Sequence, residues 1–276
     1  MKLLNFRYKG RTCIGEVNDA GEITQFALQD GLIGYMRRGI TPQKTSERVN
    51  LSDVTLLAPY VPGKIIGVGR NYADHAKELK NELPTTPLLF AKFPSSVIGT
   101  GEAIIWRSAH TTQVDYEGEL AVIIGKRASH VSEEDALKHV FGYTIANDVS
   151  ARDLQDSESQ WVRAKGLDTF CPIGPVIVSA SAIEDPHKLN IVTKLNDKEM
   201  QNGNTSDMIF NIPYLISYCS QSFVLEPGDM ILTGTPSGVG KAQKPPRFLK
   251  DGDVVTVSIE GIGEISNPCK VIEDGA

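Results

Sequence analysis

Short runs of apolar residues, separated by glycine and proline, recur along most of the chain. Runs of about four to eight residues between turn-forming residues are typical of β-strands. Such runs lie at residues 2–8, 12–17, 64–68, 88–92, 103–105, 120–124, 143–147, 176–179, 190–195, 230–233, 254–259 and 262–266. Helical patterns are fewer, at residues 31–38, 74–81, 132–140 and 212–221. Because strands outnumber helices and do not alternate with them, the pattern predicts a mainly β fold with some α, built as a sandwich or roll.

A proline-rich joint, LLAPYVPG at residues 56–63, interrupts this pattern. Before the joint, the chain has short strands and one helical stretch; after it, the strand-like runs follow one another closely. Joints of this composition commonly separate structural units. We therefore predict a small N-terminal α/β domain at residues 1–60 and a larger domain at residues 61–276.

Composition and charge narrow the class of protein. The 276 residues include 28 basic and 34 acidic side chains, a formal net charge of −6, and 41% are hydrophobic. These are ordinary values for a folded protein, and the lack of a basic cluster argues against a nucleic-acid partner. No apolar run reaches the roughly 20 residues of a membrane helix, and the N-terminus does not resemble a signal peptide. The four widely spaced cysteines form no CxxC pair, so we expect reduced thiols and a cytoplasmic protein with no membrane association.

The segment VDYEGELAVIIG, residues 114–125, places two glutamates before an apolar run. In a strand, Glu117 and Glu119 would point to the same face, with Asp115 in the same row. Carboxylates that share a buried face repel one another and lose hydration, so a cation is expected, and Mg²⁺ or Mn²⁺ prefers such oxygen ligands. Asp148, at the end of another apolar strand, is the third candidate ligand. The same pattern equally allows a solvated edge strand with no metal.

His75 and Glu78 stand three residues apart in a predicted helix. This spacing makes them neighbours on the helix surface. A carboxylate beside an imidazole fixes its tautomer and raises its basicity, which suits a general base near neutral pH. Taken alone, however, such a pair is more typical of an exposed helix with no catalytic role.

Basic and polar residues close to these segments would suit an anionic substrate. They are Arg70, Lys92, Arg152, Gln155 and Lys165. Singly, each is typical of an ordinary ion pair, but their grouping favours a binding site. Two glycine-rich stretches, GVGRNY at residues 67–72 and GTPSGVGK at residues 234–241, depart from the dinucleotide and phosphate-loop patterns and indicate backbone close to a small ligand.

Seven segments, in the same order, resemble the fumarylacetoacetate hydrolase (FAH) superfamily. They lie between residues 67 and 269 and read GVGRNYADHAKE, FAKFPSS, DYEGELAVIIG, GYTIANDVSARDLQ, RAKGLDTFCPIGP, LEPGDMILTGTPSGVG and GDVVTVSIEGIGEISNP. The resemblance implies an FAH-type mixed β-sandwich roll and a homodimer. The region before residue 62 resembles the N-terminal extension of many bacterial members.

The resemblance also implies roles for individual residues. Glu117, Glu119 and Asp148 match the family's Mg²⁺ or Mn²⁺ ligands. The catalytic dyad on a short lid helix is matched by His75 and Glu78, and a catalytic lysine that contacts substrate or intermediate is matched by Lys165. Substrate-binding positions are matched by Arg152, Gln155, Lys92 and Thr235, to which the charge pattern adds Arg70.

The function implied is metal-dependent cleavage of a C–C bond in a small 2-oxo acid, as in the acylpyruvase and oxaloacetate decarboxylase branch. Acylpyruvate hydrolysis or oxaloacetate decarboxylation would release pyruvate through a metal-stabilised enolate, with the His–Glu dyad as general base. One alternative is a 2-hydroxyhepta-2,4-diene-1,7-dioate isomerase/decarboxylase of aromatic degradation, and another is a ureidoglycolate or sugar-acid lyase-like enzyme. A non-catalytic, metal-dependent binding protein is the alternative from another class.

Overall fold

The computed structural model describes residues 1–27, 31–39, 42–79 and 82–273. The strands are β1 (Lys2–Tyr8), β2 (Arg11–Val17), β3 (Glu22–Phe26), β4 (Lys44–Asn50), β5 (Thr55–Leu56), β6 (Ile65–Gly69), β7 (Leu88–Lys92), β8 (Val97–Ile98), β9 (Ile104–Arg107), β10 (Val114–Asp115), β11 (Gly118–Ile124), β12 (Val140–Asn147), β13 (Ser150–Ala151), β14 (Cys171–Ser179), β15 (Asn190–Leu195), β16 (Lys198–Asn204), β17 (Met230–Leu232), β18 (Val254–Ile259) and β19 (Gly263–Ile272). The helices are α1 (Gly31–Arg38), α2 (Ala73–Glu78), α3 (Glu133–Ala136), α4 (Arg152–Ser157), α5 (Val162–Lys165) and α6 (Ile212–Ser222).

Two sheets of unequal size form the body of the fold. The larger sheet has the strand order β4-β3-β2-β1-β14-β12-β11-β17-β6-β7, with β5 paired to β1 and β8 paired to β14. The smaller sheet has the order β16-β15-β18-β19-β9, and β10 pairs separately with β13. Neighbours are mostly antiparallel, but β17 with β6, β14 with β8 and β19 with β9 are parallel. The predicted mainly β fold with mixed sheets is therefore confirmed.

Strand β11 lies inside the larger sheet, between β12 and β17, and is buried along its whole length. Leu120, Val122 and Ile124 belong to the hydrophobic cluster that includes residues of the smaller sheet. Ala121 and Ile123 belong to the cluster on the opposite face, which includes residues of α1. Because successive side chains alternate between these two clusters, both faces of the strand are apolar, and the sequence shows a continuous apolar run.

The N-terminal segment extends the larger sheet. Strand β1 pairs antiparallel with β14, with Leu3 opposite Ile177. Leu3 is fully buried in the same cluster as Ile123, which belongs to β11. The predicted division between residues 60 and 61 falls between β5 and β6, and both it and the implied homodimer stay predictions.

The predicted helices occur with shifted ends. Helix α1 has the predicted bounds, while α2 begins one residue early and ends at Glu78; residues 80 and 81 of that prediction lie outside the described residues. Helix α3 is a single turn capped by the Ser132 side chain and followed by a 3₁₀ turn. The pattern did not predict α4 and α5, because four to six residues are too short to show a helical period. Over the described ranges, every helix falls short of the length and apolar character needed to cross a bilayer.

A truncation of Leu3 tests whether residues 1–60 unfold with the rest of the chain. We expect Leu3→Ala to lower the free energy of unfolding by about 2–5 kcal/mol, because it leaves a cavity in a shared core. Denaturant unfolding followed by circular dichroism should show one transition. As a matched control, Leu51→Ala removes a side chain that is 38% exposed and should change the free energy by only about 0.5 kcal/mol. Two transitions, with only one shifted by Leu3→Ala, would instead indicate an independent N-terminal domain.

Candidate active site

Three buried carboxylates, those of Glu117, Glu119 and Asp148, meet at one end of β11. One ligand oxygen of each lies within 4.8 Å of those of the other two. Strand pairing explains this meeting, because β11 and β12 are antiparallel and Glu119 lies opposite Ala146 near the end of β12. The backbone N–H of Asp148, the next residue after β12, donates to the Glu117 carbonyl at 2.8 Å.

The predicted row of three acidic residues on one strand is wrong at Asp115. The strand is interrupted between β10 and β11, so Asp115 leaves the row. Its carboxylate instead accepts from Arg152 Nε at 2.8 Å and from the backbone N–H groups of Gly240 and Lys241 at 2.7 and 3.0 Å. Asp115 therefore fixes an arginine and a loop.

Two cations hold Glu117, and neither of them contacts Glu119. Lys165 Nζ lies 2.7 Å from Glu117 Oε2 and 2.7 Å from Asp148 Oδ2. Arg152 Nη1 lies 2.7 Å from Glu117 Oε1. Lys92 Nζ lies 2.7 Å from the second oxygen of Asp148. In the described part of the chain, the Glu119 carboxylate has only the backbone N–H of Gly234, at 2.7 Å.

These contacts shift the pKa values of Glu117 and Glu119 in opposite directions. Burial acts to raise the pKa of Glu117, but Lys165 and Arg152 outweigh it and hold that pKa well below its usual value. Burial raises the pKa of Glu119 well above its usual value, and the neighbouring carboxylates of Asp148 and Glu117 raise it further. Glu119 is thus the carboxylate whose charge the surrounding residues leave least compensated.

The donor set fits a hard divalent cation. The ligands would be oxygens of Glu117, Glu119 and Asp148, the ligand type that Mg²⁺ and Mn²⁺ prefer. A cation among them would also relieve the repulsion that Glu119 experiences from its two neighbours. The buried acidic triad could therefore bind one divalent metal ion, and its geometry does not choose between Mg²⁺ and Mn²⁺.

The His75 and Glu78 pair forms, and it is buried rather than solvated. His75 Nδ1 lies 2.8 Å from Glu78 Oε1, and the His75 side chain is only 6% exposed. Glu78 in turn accepts the backbone N–H of Gly238, at 2.9 Å to Oε2. With Glu78 ionised, Nδ1 carries the proton and donates it to the carboxylate, so Nε2 is the ring nitrogen that can accept a proton.

The glycine-rich loop at residues 234–241 connects these groups through its backbone. Its N–H groups donate to Glu119, to Glu78 and to Asp115. Gly238 has a φ of +109°, and a Cβ there would lie 2.0 Å from the carbonyl oxygen of Met200. Only glycine fits that position. The loop thus holds acidic side chains, which explains why it departs from the phosphate-loop pattern.

Most predicted site residues line one cavity of about 300 Å³. Those on its wall are Arg70, His75, Glu117, Glu119, Arg152, Gln155, Lys165 and Thr235. Arg152 Nη2 is buried and has no hydrogen-bond partner within the described residues, so it is available to an anionic ligand. Thr235 donates to the Gly118 carbonyl at 2.9 Å, which ties the loop to β11.

Three predicted residues lie behind the cavity wall and support it. Glu78 supports His75, and Asp148 contacts Lys165. Lys92 is 2% exposed and bonds to Asp148 and to the carbonyl of Lys165. The structure therefore places Lys92 where it steadies a carboxylate, and its substrate-binding role stays a prediction.

The sequence reasoning missed three residues of the cavity mouth. Trp161, Asp156 and Lys241 line it, and Lys241 Nζ contacts both oxygens of Asp156 at 2.5 and 2.6 Å. Asp156 lies in the short helix α4, and Trp161 follows it; no periodicity indicated that helix. Lys241 was visible only as the last residue of a failed phosphate-loop pattern.

Comparisons with known proteins agree on the family. The family profile described as fumarylacetoacetate (FAA) hydrolase C-terminal matches residues 64–270. Over 222 residues the chain is 50% identical to oxaloacetate tautomerase YisK of Bacillus subtilis, which covers 79% of this chain and 74% of that protein. A fumarylacetoacetate hydrolase from Exiguobacterium antarcticum superposes with a TM-score of 0.88 at 42% identity, over 99% of this chain and 100% of that one.

A third comparison is with a structure that holds ligands. Maleylpyruvate hydrolase from Sphingobium sp. SYK-6, in complex with manganese(II) and pyruvate, superposes with a TM-score of 0.81 at 31% identity, over 98% of this chain and 99% of that one. Together with the seven motifs and the mixed β fold, these matches show that the chain belongs to the fumarylacetoacetate hydrolase superfamily of enzymes.

Proposed function

We propose that this enzyme moves a proton between C3 and the 2-oxo oxygen of oxaloacetate or a similarly small 2-oxo acid, as an enol–keto tautomerase. The observation that carries the proposal is that one cavity brings together a buried imidazole base and a cluster of carboxylates and cations. The 50% identical relative, named as an oxaloacetate tautomerase, supports the choice of reaction and substrate.

Proton transfer is assigned to the His75 and Glu78 dyad. In the enol-to-keto direction, the substrate loses the proton of its C2 hydroxyl and gains one at C3, so its composition does not change. His75 Nε2 exchanges a proton with the substrate, while Glu78 holds Nδ1–H and stabilises the imidazolium formed during the transfer. Gly238 fixes Glu78 through its backbone N–H, so the ring orientation does not depend on solvent.

Arg152 and Lys165 orient the substrate, and the acidic triad would hold a divalent metal ion. Arg152, with one free guanidinium nitrogen, binds a substrate carboxylate, and Lys165 carries a second positive charge on the same wall. Glu117, Glu119 and Asp148 would hold Mg²⁺ or Mn²⁺. When bound, that cation supplies Lewis-acid stabilisation of negative charge on the 2-oxo oxygen.

A second candidate is cleavage of a C–C bond in the same class of substrate. The His75 base could equally activate a water molecule for attack on the distal carbonyl of an acylpyruvate, and a decarboxylation would need no water. The similarity to a maleylpyruvate hydrolase captured with pyruvate favours keeping this candidate. Either cleavage reaction would release pyruvate, whereas tautomerisation would not.

One assay separates the two candidates. Purified protein with Mg²⁺ is mixed with enol oxaloacetate and, separately, with acetylpyruvate, and the loss of enol absorbance is followed while pyruvate is quantified. Rapid loss of the oxaloacetate enol without pyruvate, abolished by EDTA, is the expected result. Stoichiometric pyruvate from either substrate would instead establish cleavage. No enzyme-dependent change with either substrate would refute both candidates and favour the diene-dioate isomerase, the lyase-like enzymes or a binding protein.

Replacement of His75 tests the base. We expect His75→Gln to lower kcat by about a hundredfold or more, since general base catalysis contributes about 10²–10⁴-fold, and to change KM little. Steady-state kinetics of enol loss measures both constants. The control is His187→Gln, because that histidine lies outside the cavity and should keep wild-type kinetics. A His75→Gln enzyme with unchanged kcat would exclude the dyad from proton transfer.

Paired glutamate variants test the metal site through binding and stability. Glu119→Gln removes the poorly compensated charge, so we expect weaker Mn²⁺ binding by calorimetry but an equal or higher melting temperature in EDTA. Glu117→Gln should also weaken Mn²⁺ binding, yet lower that melting temperature, because Lys165 and Arg152 lose a buried partner. If both variants bind Mn²⁺ as wild type does, the triad is not the metal site.

A further inference from the structure

The residues that line the active-site cavity are buried at its floor and more exposed to solvent at its mouth. Glu119, Arg152 and Lys165 are each about 1% exposed and form the floor. Arg70 and Trp161 are half-buried, and they form the mouth with Lys241 and the more exposed Asp156. A small ligand whose head group reaches the floor therefore directs its other end toward Arg70 and Trp161.

Among the cavity cations, Arg70 differs in having no carboxylate partner in the described residues. Lys165 and Arg152 pair with Glu117, and Lys241 pairs with Asp156. The guanidinium of Arg70 makes no hydrogen bond or ion pair within the ranges that the structure describes. Its central carbon, Cζ, lies 5.9 Å from the ring centroid of Trp161. A cation–π contact uses none of the guanidinium N–H groups as hydrogen-bond donors, so they stay available to an anion.

The backbone holds Arg70 in a conformation that arginine disfavours. Its φ is +58°, in the left-handed region that glycine occupies most easily. The turn is fixed by the next residue, because the buried Asn71 side chain donates to the carbonyls of Phe210 and Thr233. Unfavourable backbone geometry of this kind clusters at functional sites. An arginine at this position, where glycine would be easier to accommodate, points to a use for its side chain.

The aromatic partner is also held in place. A Cβ at Gly69 would lie 2.7 Å from the Trp161 ring, so the missing side chain lets the indole lie directly against the end of β6. On its other side, Trp161 packs against Phe90 of β7, with ring centroids 5.6 Å apart. The indole is therefore packed between neighbouring strands, within cation–π distance of the Arg70 guanidinium.

We propose that Arg70 binds the distal carboxylate of the substrate and so selects dicarboxylic 2-oxo acids over those with an uncharged distal end. This inference rests on the proposed function, since it takes the 2-oxo acid head group to lie on the cavity floor. Lys241 is a weaker candidate for this role, because its ammonium group already forms an ion pair with Asp156. Arg70 is a specificity residue and takes no part in proton transfer.

A matched pair of substrates tests the selection. Oxaloacetate and its 4-methyl ester share the same 2-oxo acid head group and differ only at the distal end, where the ester carries a methyl group in place of the negative charge. We expect Arg70→Met to lower kcat/KM for oxaloacetate by about ten- to hundredfold, mainly through KM, as for loss of a charge-assisted hydrogen bond. The value for the ester should change by less than about threefold. Equal losses for both substrates, or no loss for oxaloacetate, would overturn the proposal.

Arg163→Met is the control for the change in charge. Arg163 lies on α5, next to the site, but its side chain is exposed and pairs with Glu158. It does not line the cavity. This variant should therefore keep the wild-type ratio of kcat/KM for the two substrates. A fall in that ratio equal to the one caused by Arg70→Met would mean that overall charge, and not Arg70, selects the substrate.

A binding measurement separates failure of this inference from failure of the proposed function. Malate and lactate share a 2-hydroxy acid head group, and only malate has a distal carboxylate. In Mg²⁺ buffer, calorimetry should show that Arg70→Met weakens malate binding at least tenfold and leaves lactate binding unchanged. If the wild-type protein turns over neither oxaloacetate nor its ester, the proposed function fails, and this comparison still decides the role of Arg70. Equal affinities of the wild-type protein for malate and lactate would overturn that role.

Discussion

The buried charge cluster at the end of β11 is the constraint on which the rest of the site depends. Four carboxylates, including that of Asp115, lie among three cations, those of Lys92, Arg152 and Lys165. Burial makes each unpaired charge costly, so every partner must be held at a fixed distance. The large sheet meets this requirement because β11 and β12 pair along their whole length and bring Glu119 and Asp148 together at their ends.

The same constraint explains how one cavity can attract an anion beside several carboxylates. The carboxylates of Asp115, Glu117 and Asp148 each contact a cation, and within the described residues Glu119 is the member of the triad that has no cation partner. A divalent ion on the triad would reverse the sign of the local charge, and the free nitrogen of Arg152 would then face a site that favours a carboxylate ligand. With the proposed metal site, substrate affinity would therefore depend on metal loading.

The alternation of side chains along a strand predicted that Glu117 and Glu119 share a face. The apolar run before Asp148 predicted that this residue lies at the end of a strand. Both conclusions rest on local backbone geometry, which a sequence pattern expresses directly. Asp115 was misplaced because the strand breaks at Tyr116, and nothing local marks that break. Trp161 and Lys241 reach the cavity through loops far apart in sequence, so only tertiary structure brings them together. The strand pattern predicted the mainly β fold and the spacing predicted the His75 and Glu78 pair, while the family resemblance implied the catalytic role of that pair. Long-range packing supplied the mouth of the cavity.

The glycine-rich loop has a consequence for how variants combine. Its backbone N–H groups contact Glu119, Glu78 and Asp115, which belong to the triad, the dyad and the support of Arg152. A shift of this loop would disturb all three groups at once, although no side chain of the loop takes part in those contacts. Double-mutant cycles between Glu78 and Asp115 should therefore show energetic coupling through a shared peptide backbone, even though the two carboxylates do not bond to each other.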